Sequence, residues 1–112
     1  MSVRYYTHRY GGDPAQLDRA EARLNWLNAN RGDEDLYLAP WIEYARREFK
    51  PALVWKMIGH HIADKYVSAV AHDLDGGNEL SPGQKREDEL ARKYGKSIVY
   101  VTIPKGWLKW RA

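Results

Sequence analysis

The 112-residue chain contains no cysteine, which excludes disulfides and thiolate metal sites and fits a reducing compartment. No apolar run approaches the ~20 residues needed to span a bilayer, so no membrane partner is expected. The first ten residues, MSVRYYTHRY, hold no apolar signal core, and the expected location is the cytoplasm. Repeats and low-complexity segments are missing as well. So is a concentrated basic face. Eighteen basic and fifteen acidic residues leave a net charge of only +3, and KREDELARK alternates in sign as a solvated helix face does. A nucleic-acid polymer is therefore not an expected partner. What remains, at 44% hydrophobic and 29% charged residues, is the composition of one globular domain over residues 1–112. Five Trp and eight Tyr are many for this length, and packing is their first reading.

Strand and helix signals alternate along the chain. Val3–His8 is short and rich in β-formers, and Gly11-Gly12 turn it. Asp13-Pro14-Ala15-Gln16 reads as an N-cap, a first-turn proline and a capping-box glutamine. Leu17, Ala20, Leu24 and Leu27 then form one helical face. Leu36–Ala39 reads as a second strand, stopped by Pro40. A short helix over 41–48 follows, and another over 52–63 with Leu53, Met57 and His60/His61 as its stripe. Residues 66–71 read as a third strand, 72–80 as a loop and 97–103 as a fourth strand. This order predicts a small parallel sheet with helices on both faces. Ligands of such sheets bind beyond the carboxyl ends of the strands, which points to the loops 8–13, 40–44 and 72–83.

SPGQKREDELARKYGK, residues 81–96, is the most informative stretch. Ser81, Pro82 and Gln84 supply a cap, a first-turn proline and a capping box, and Gly95 ends the helix. Leu90, Ala91 and Tyr94 make an apolar stripe that continues backward through Glu87 to Gly83. A carboxylate therefore stands on the face expected to be buried. Helical side chains lean toward the N-terminus, so Glu87 projects over Gly83, where a ligand has room to approach. The helix N-terminus beside it suits an anion such as phosphate. The plainer alternative is that Glu87 sits at the edge of the stripe and reaches water.

The motif S-P-G-x-x-x-E-x-E-L-A followed by Y-G-K and an apolar strand resembles the nucleoside 2-deoxyribosyltransferase-like superfamily. Tyr6-Thr-His-Arg-Tyr-Gly-Gly-Asp13 and Leu38-Ala39-Pro40-Trp41 are similar to the corresponding segments of its small, mostly uncharacterised branch. The resemblance implies a Rossmann-like (flavodoxin-like) α/β three-layer sandwich with four to five parallel strands. It implies Glu87 as a nucleophile at the anomeric carbon of a nucleoside or nucleotide, forming a glycosyl ester that water or another base resolves. The family's assisting acid, six positions earlier, is here Ser81. A serine there contacts phosphate in the branch that hydrolyses nucleoside 5′-monophosphates, which tilts the expected substrate toward a nucleotide. Asp73 and Asp75 are the nearby candidates for the acid. Ser81, Pro82, Gly83 and Gly11 are expected to line the substrate site, and Tyr6 or His8 to contact the sugar or orient Glu87. Arg9 stands where relatives carry small or proline residues, a candidate to fill the site or bind an anion. No cofactor is implied, and a homodimer or higher homo-oligomer is expected because transferase relatives complete their sites across a dimer.

Other residues leave alternatives open. Trp41 and Tyr44 can stack on a base or pack in the core. His8 can bond substrate or be buried and satisfied. His60 and Asp64 lie one helical turn apart but have no third ligand, so no metal site is expected. Trp107 and Trp110 can cover the core or enter a dimer interface. Beside the enzyme reading stand a binding module that senses or sequesters a nucleotide-derived signal, and an interaction protein using the aromatic C-terminus.

Overall fold

A computed structural model describes residues 2–31 and 35–107. Its elements are β1 (Val3–His8), α1 (Pro14–Ala29), β2 (Leu36–Leu38), α2 (Pro40–Arg46), α3 (Pro51–Ala63), β3 (Val67–Asp73), α4 (Pro82–Lys93) and β4 (Ser97–Tyr100). All four strands are parallel, in the order β2-β1-β3-β4. Right-handed crossovers then place α1 on one face, and α3 and α4 together on the other. The packing agrees: α3 lies against α4, both meet β3, and α1 meets β2. The result is a Rossmann-like, flavodoxin-like three-layer α/β sandwich. The strand order reverses direction between β1 and β3, and a crevice opens beyond their carboxyl ends at such a point.

Local chemistry accounts for the helix starts. Asp13 caps α1 by accepting from Ala15 N at 2.9 Å, ahead of Pro14. Ser81 and Gln84 form a complete capping box on α4, with Gln84 N donating to Ser81 Oγ at 3.2 Å and Ser81 N to Gln84 Oε1 at 3.1 Å. The core joins Tyr5, Leu17, Ala20, Leu27, Ile42, Ile58, Ile62, Val67, Val70 and Ala91.

Four boundaries and two stripes depart from the sequence reading. β3 runs on through His72 and Asp73, which read as loop because both are polar; register pairs them with Thr7 and His8. Residues 40–44, expected in part as a loop, are the first turns of α2. β2 stops at Leu38 and β4 at Tyr100, short of Ala39 and Ile103. In α3 the buried stripe is Ile58 and Ile62, with Val54 and Trp55 partly covered, while Leu53 is exposed. In α4 the buried face is Gln84, Glu87 and Ala91, and Tyr94 is exposed.

Candidate active site

In β1, Tyr5 and Thr7 point to the α3/α4 face, and Tyr6 and His8 to the α1 face. The partners follow that alternation. Thr7 Oγ1 meets His72 Nδ1 at 2.7 Å and accepts from Gln84 Nε2 at 3.2 Å. Tyr6 instead donates its hydroxyl to Asp73 at 2.5 Å.

On the α1 face, charges are matched. Arg23 binds Asp73 through two N–H groups at 2.6 and 2.9 Å and reaches Asp75 at 3.1 Å. Arg19 also holds Asp75, through both Nε and Nη2. His8 Nε2 meets the same carboxylate at 2.9 Å, and Trp107 covers both guanidiniums at 5.8 and 5.4 Å. Burial pushes the Asp75 carboxyl up, but Arg19, His8 and Arg23 outweigh it and hold the group well below its ordinary range. Burial, then Asp73, drive the Tyr6 hydroxyl far above its ordinary range.

On the α3/α4 face one carboxylate is left alone. Glu87 is 5% exposed and makes no hydrogen bond or ion pair among the described residues. Burial alone raises its pKa well above the usual carboxylate range. Tyr5 is its neighbour on β1, with a buried hydroxyl that has no partner among the described residues. That hydroxyl is pushed up by burial and then by the Glu87 charge. Glu87 forms part of the wall of a cavity of about 620 Å³, a volume in the range of small-molecule sites.

The end of β1 and its loop, α2, α3 and the start of α4 contribute to that cavity. The end of β1 brings His8 and the β1–α1 loop Tyr10, Gly11 and Gly12; α2 and its exit bring Trp41, Ala45, Glu48 and Phe49. Pro51, Val54, Trp55 and Ile58 come from α3, and Ser81, Pro82, Gly83 and Glu87 from α4 and its cap. Gly11 and Gly12 take φ of 58° and 79°, a left-handed turn that other residues enter at a cost. Gly83 is different. Its backbone is helical, and an added Cβ would meet nothing nearer than Trp55 Cζ2 at 3.9 Å. The fold does not require glycine there, and the space it leaves belongs to the cavity.

Seven expected site residues are thus brought together: Glu87, His8, Gly11, Trp41, Ser81, Pro82 and Gly83 line the cavity, whereas Tyr44 is not on its wall and bonds to His61 at 2.7 Å. Trp41 also serves the core, donating Nε1–H to Tyr6 O at 2.8 Å. His8 is buried and satisfied, with Nδ1 on Arg9 O at 2.6 Å and Nε2 on Asp75, so neither nitrogen is left for a substrate. Three expected residues are turned elsewhere. Tyr6 faces Asp73 on the opposite side of the sheet, so it does not orient Glu87. Asp75 is held ionised by its arginines, which does not suit a proton donor. Arg9 neither fills the site nor faces an anion: its guanidinium donates to Leu74 O, and a Cβ at Gly77 would collide with it.

Tyr5, Tyr10, Glu48, Phe49 and Trp55 were not singled out from the sequence. The spacing of Val54, Trp55, Ile58 and Ile62 offers a second helical stripe that would have pointed to Trp55. At the α4 N-terminus, Pro82 has no N–H and the capping box occupies Gln84 N. Gly83 N–H therefore remains as a donor without a partner among the described residues. His60 is exposed, and among the described residues no three His, Asp or Glu side chains gather as metal ligands. No helix among them is long and apolar enough to cross a membrane. Trp107 is buried over Arg19 and Arg23, and Trp110 lies outside the described residues.

Comparison with solved structures finds the same fold. The structure titled "2-desoxiribosyltransferase from Leishmania mexicana" superposes with a TM-score of 0.65 at 20% sequence identity, over 95% of this chain and 69% of that one. The chain has the nucleoside 2-deoxyribosyltransferase-like fold. No protein-family model matches it, and no curated protein does.

Proposed function

We propose that the protein cleaves the N-glycosidic bond of a (deoxy)nucleoside or, favoured by Ser81, its 5′-monophosphate, as an N-glycosidase or deoxyribosyltransferase with Glu87 as nucleophile. One observation carries the reading: a buried carboxylate without a partner among the described residues faces a ligand-sized cavity at the switch point of this fold. The fold likeness to a protein named a 2-desoxiribosyltransferase supports it.

In this reading Glu87 Oε attacks the anomeric carbon as the base departs, and the glycosyl ester is resolved by water or by a second base. The sugar's 5′ end lies toward α4, where the Ser81 hydroxyl and Gly83 N–H donate to a hydroxyl or a phosphate. The base lies among Tyr10, Trp41, Phe49 and Trp55. Residues 1–112 act as one domain, in the cytoplasm and as a homodimer, with no cofactor. The test is base release from a panel of nucleosides and 5′-monophosphates, followed by chromatography. Release by the wild type and its loss in Glu87→Ala is the expected outcome; identical behaviour of the two proteins on every substrate removes the catalytic claim.

The tying of Asp75 to Arg19 and Arg23 favours one second reading, a module that binds a nucleotide without cleaving it. Calorimetry with the same panel distinguishes the two, because tight binding with intact ligand is the mark of the module.

A further inference from the structure

The cavity wall is unusual in its charges. Among the described residues it carries two carboxylates, Glu87 and Glu48, and neither Lys nor Arg. Nearby guanidiniums lie off the wall: Arg9 donates through Nη2 to Leu74 O, with its Nε buried and unpartnered among the described residues, and Arg19 and Arg23 bind Asp73 and Asp75. Arg86 is stacked on Trp55, 4.2 Å above the ring, and does not line the cavity. Glu48 has no side-chain partner among the described residues. It stands at the exposed rim with a left-handed backbone, φ 54°, which is uncommon for a residue bearing a side chain. The remaining wall is largely aromatic and aliphatic. Carboxylates together with aromatic faces are the chemistry that recognises a cation.

The acid question points the same way. A neutral base must gain a proton as it leaves, and among the described residues lining the cavity no carboxylic acid besides Glu87 and the exposed Glu48 stands by to supply one. Asp75 is held ionised by its arginines, and His8 directs both nitrogens at oxygen acceptors.

From these two observations we infer that the substrate is an N-glycoside whose base carries a fixed positive charge, a ribosylpyridinium or a quaternised purine nucleoside, with Glu48 facing that charge. The chemical step rests on the reading of Glu87 as nucleophile. A Glu87 oxygen bonds to the anomeric carbon as the carbon–nitrogen bond breaks. Both bonding electrons pass to the ring nitrogen and cancel its charge, so the base departs neutral and takes up no proton. Water then hydrolyses the ester, freeing the sugar and releasing one proton to solvent.

The substrate's charge also prepares the nucleophile. Burial keeps the empty-site Glu87 toward its neutral form, and a neutral ligand that displaces water leaves it so. A cation beside it favours the carboxylate. The titratable groups near Glu87 are Tyr5 and His8 on β1, Tyr44 on α2 and Glu48; α3 offers Val54, Trp55 and Ile58. Of these, His8 has both ring nitrogens on oxygen acceptors and is bound to the Asp75 carboxylate, and the others carry no positive charge.

The experiment has a binding arm and a cleavage arm. Calorimetry compares 1-methylnicotinamide, a fixed cation, with neutral nicotinamide. The cation should bind about tenfold tighter or better, and Glu48→Gln should remove most of that preference. Binding measured in two buffers of different ionisation enthalpy should show proton release in the wild type and none in Glu87→Gln. In the cleavage arm, nicotinamide riboside should lose nicotinamide with Glu87→Gln inactive, and inosine and deoxyadenosine 5′-monophosphate should react far more slowly. Equal binding of the two nicotinamides overturns the charge inference. So does Glu87-dependent cleavage confined to the neutral-base substrates, which leaves the nucleophile itself intact. Preferential binding of the cation with no cleavage of any substrate upholds the cation site and removes the glycosidase reading.

Discussion

The two faces of the sheet meet at the carboxyl ends of β1 and β3, and each buries acidic side chains there. On the α1 face Asp73 and Asp75 are surrounded by Arg19, Arg23 and His8. On the α3/α4 face, Glu87 has no hydrogen-bond or ionic partner among the described residues and borders Tyr5 and the cavity. The difference teaches how to separate a structural carboxylate from a functional one. A buried charge that is fully paired holds elements together, whereas one kept unpaired at a cost to stability must be justified by a ligand. The two faces also respond oppositely to pH. Asp75's carboxyl lies below its ordinary 3.8, so its contribution is present above that pH and is lost as pH falls. Glu87 lies above its ordinary 4.5, so its contribution is present below that pH and is lost as pH rises.

The largest expected effect breaks the functional side. Glu87→Gln should lower base release by about 10⁴-fold or more, the scale seen when a nucleophile is removed, measured on whichever substrate the panel identifies. Retained activity would make Glu87 a structural carboxylate like the other two. Next comes the paired side. Asp73→Asn leaves Arg23 short of its principal partner and should destabilise the fold by about 3–5 kcal/mol in urea unfolding. Activity per folded molecule should change little.

The same Glu87→Gln variant should be more stable than the wild type by about 1–3 kcal/mol, because an unpaired buried acid is removed. The gain should grow from pH 5 to pH 8, following the sign above; a loss of stability would mean that Glu87 is paired after all. The smallest effect is at Gly83. Gly83→Ala meets no close atom and should stabilise α4 by about 0.5–1 kcal/mol while weakening nucleotide binding in calorimetry. If binding is unchanged, the space over Gly83 is not used.

Much of this frame was legible along the chain. The capping signals of α1 and α4 act within a single turn, so Asp13, Ser81 and Gln84 could be read locally and sit as expected. Glu87 was visible as an acid on an apolar stripe. Tyr6 was not readable. In a sheet covered on both faces, alternation carries no polarity signal, so neighbouring tyrosines look alike. His72 and Asp73 read as loop for a related reason: a polar pair is accepted inside a strand only when partners such as Thr7 and Arg23 satisfy it. Those partners are fifty or more positions away.

What the sequence by itself determined is therefore the alternation of strands and helices, their caps and the place of Glu87 on the apolar stripe of α4, all products of interactions within a few residues; that Glu87 is buried there was decided by the packing. Tertiary structure alone decided which acids are paired, that Arg9 supports the 74–77 turn, and that Glu48, Trp55 and Glu87 share one cavity. Arg23 and Asp73 are 50 residues apart, and Arg19 and Asp75 are 56 apart. Charge neutralisation depends on distance through space, which no local pattern encodes.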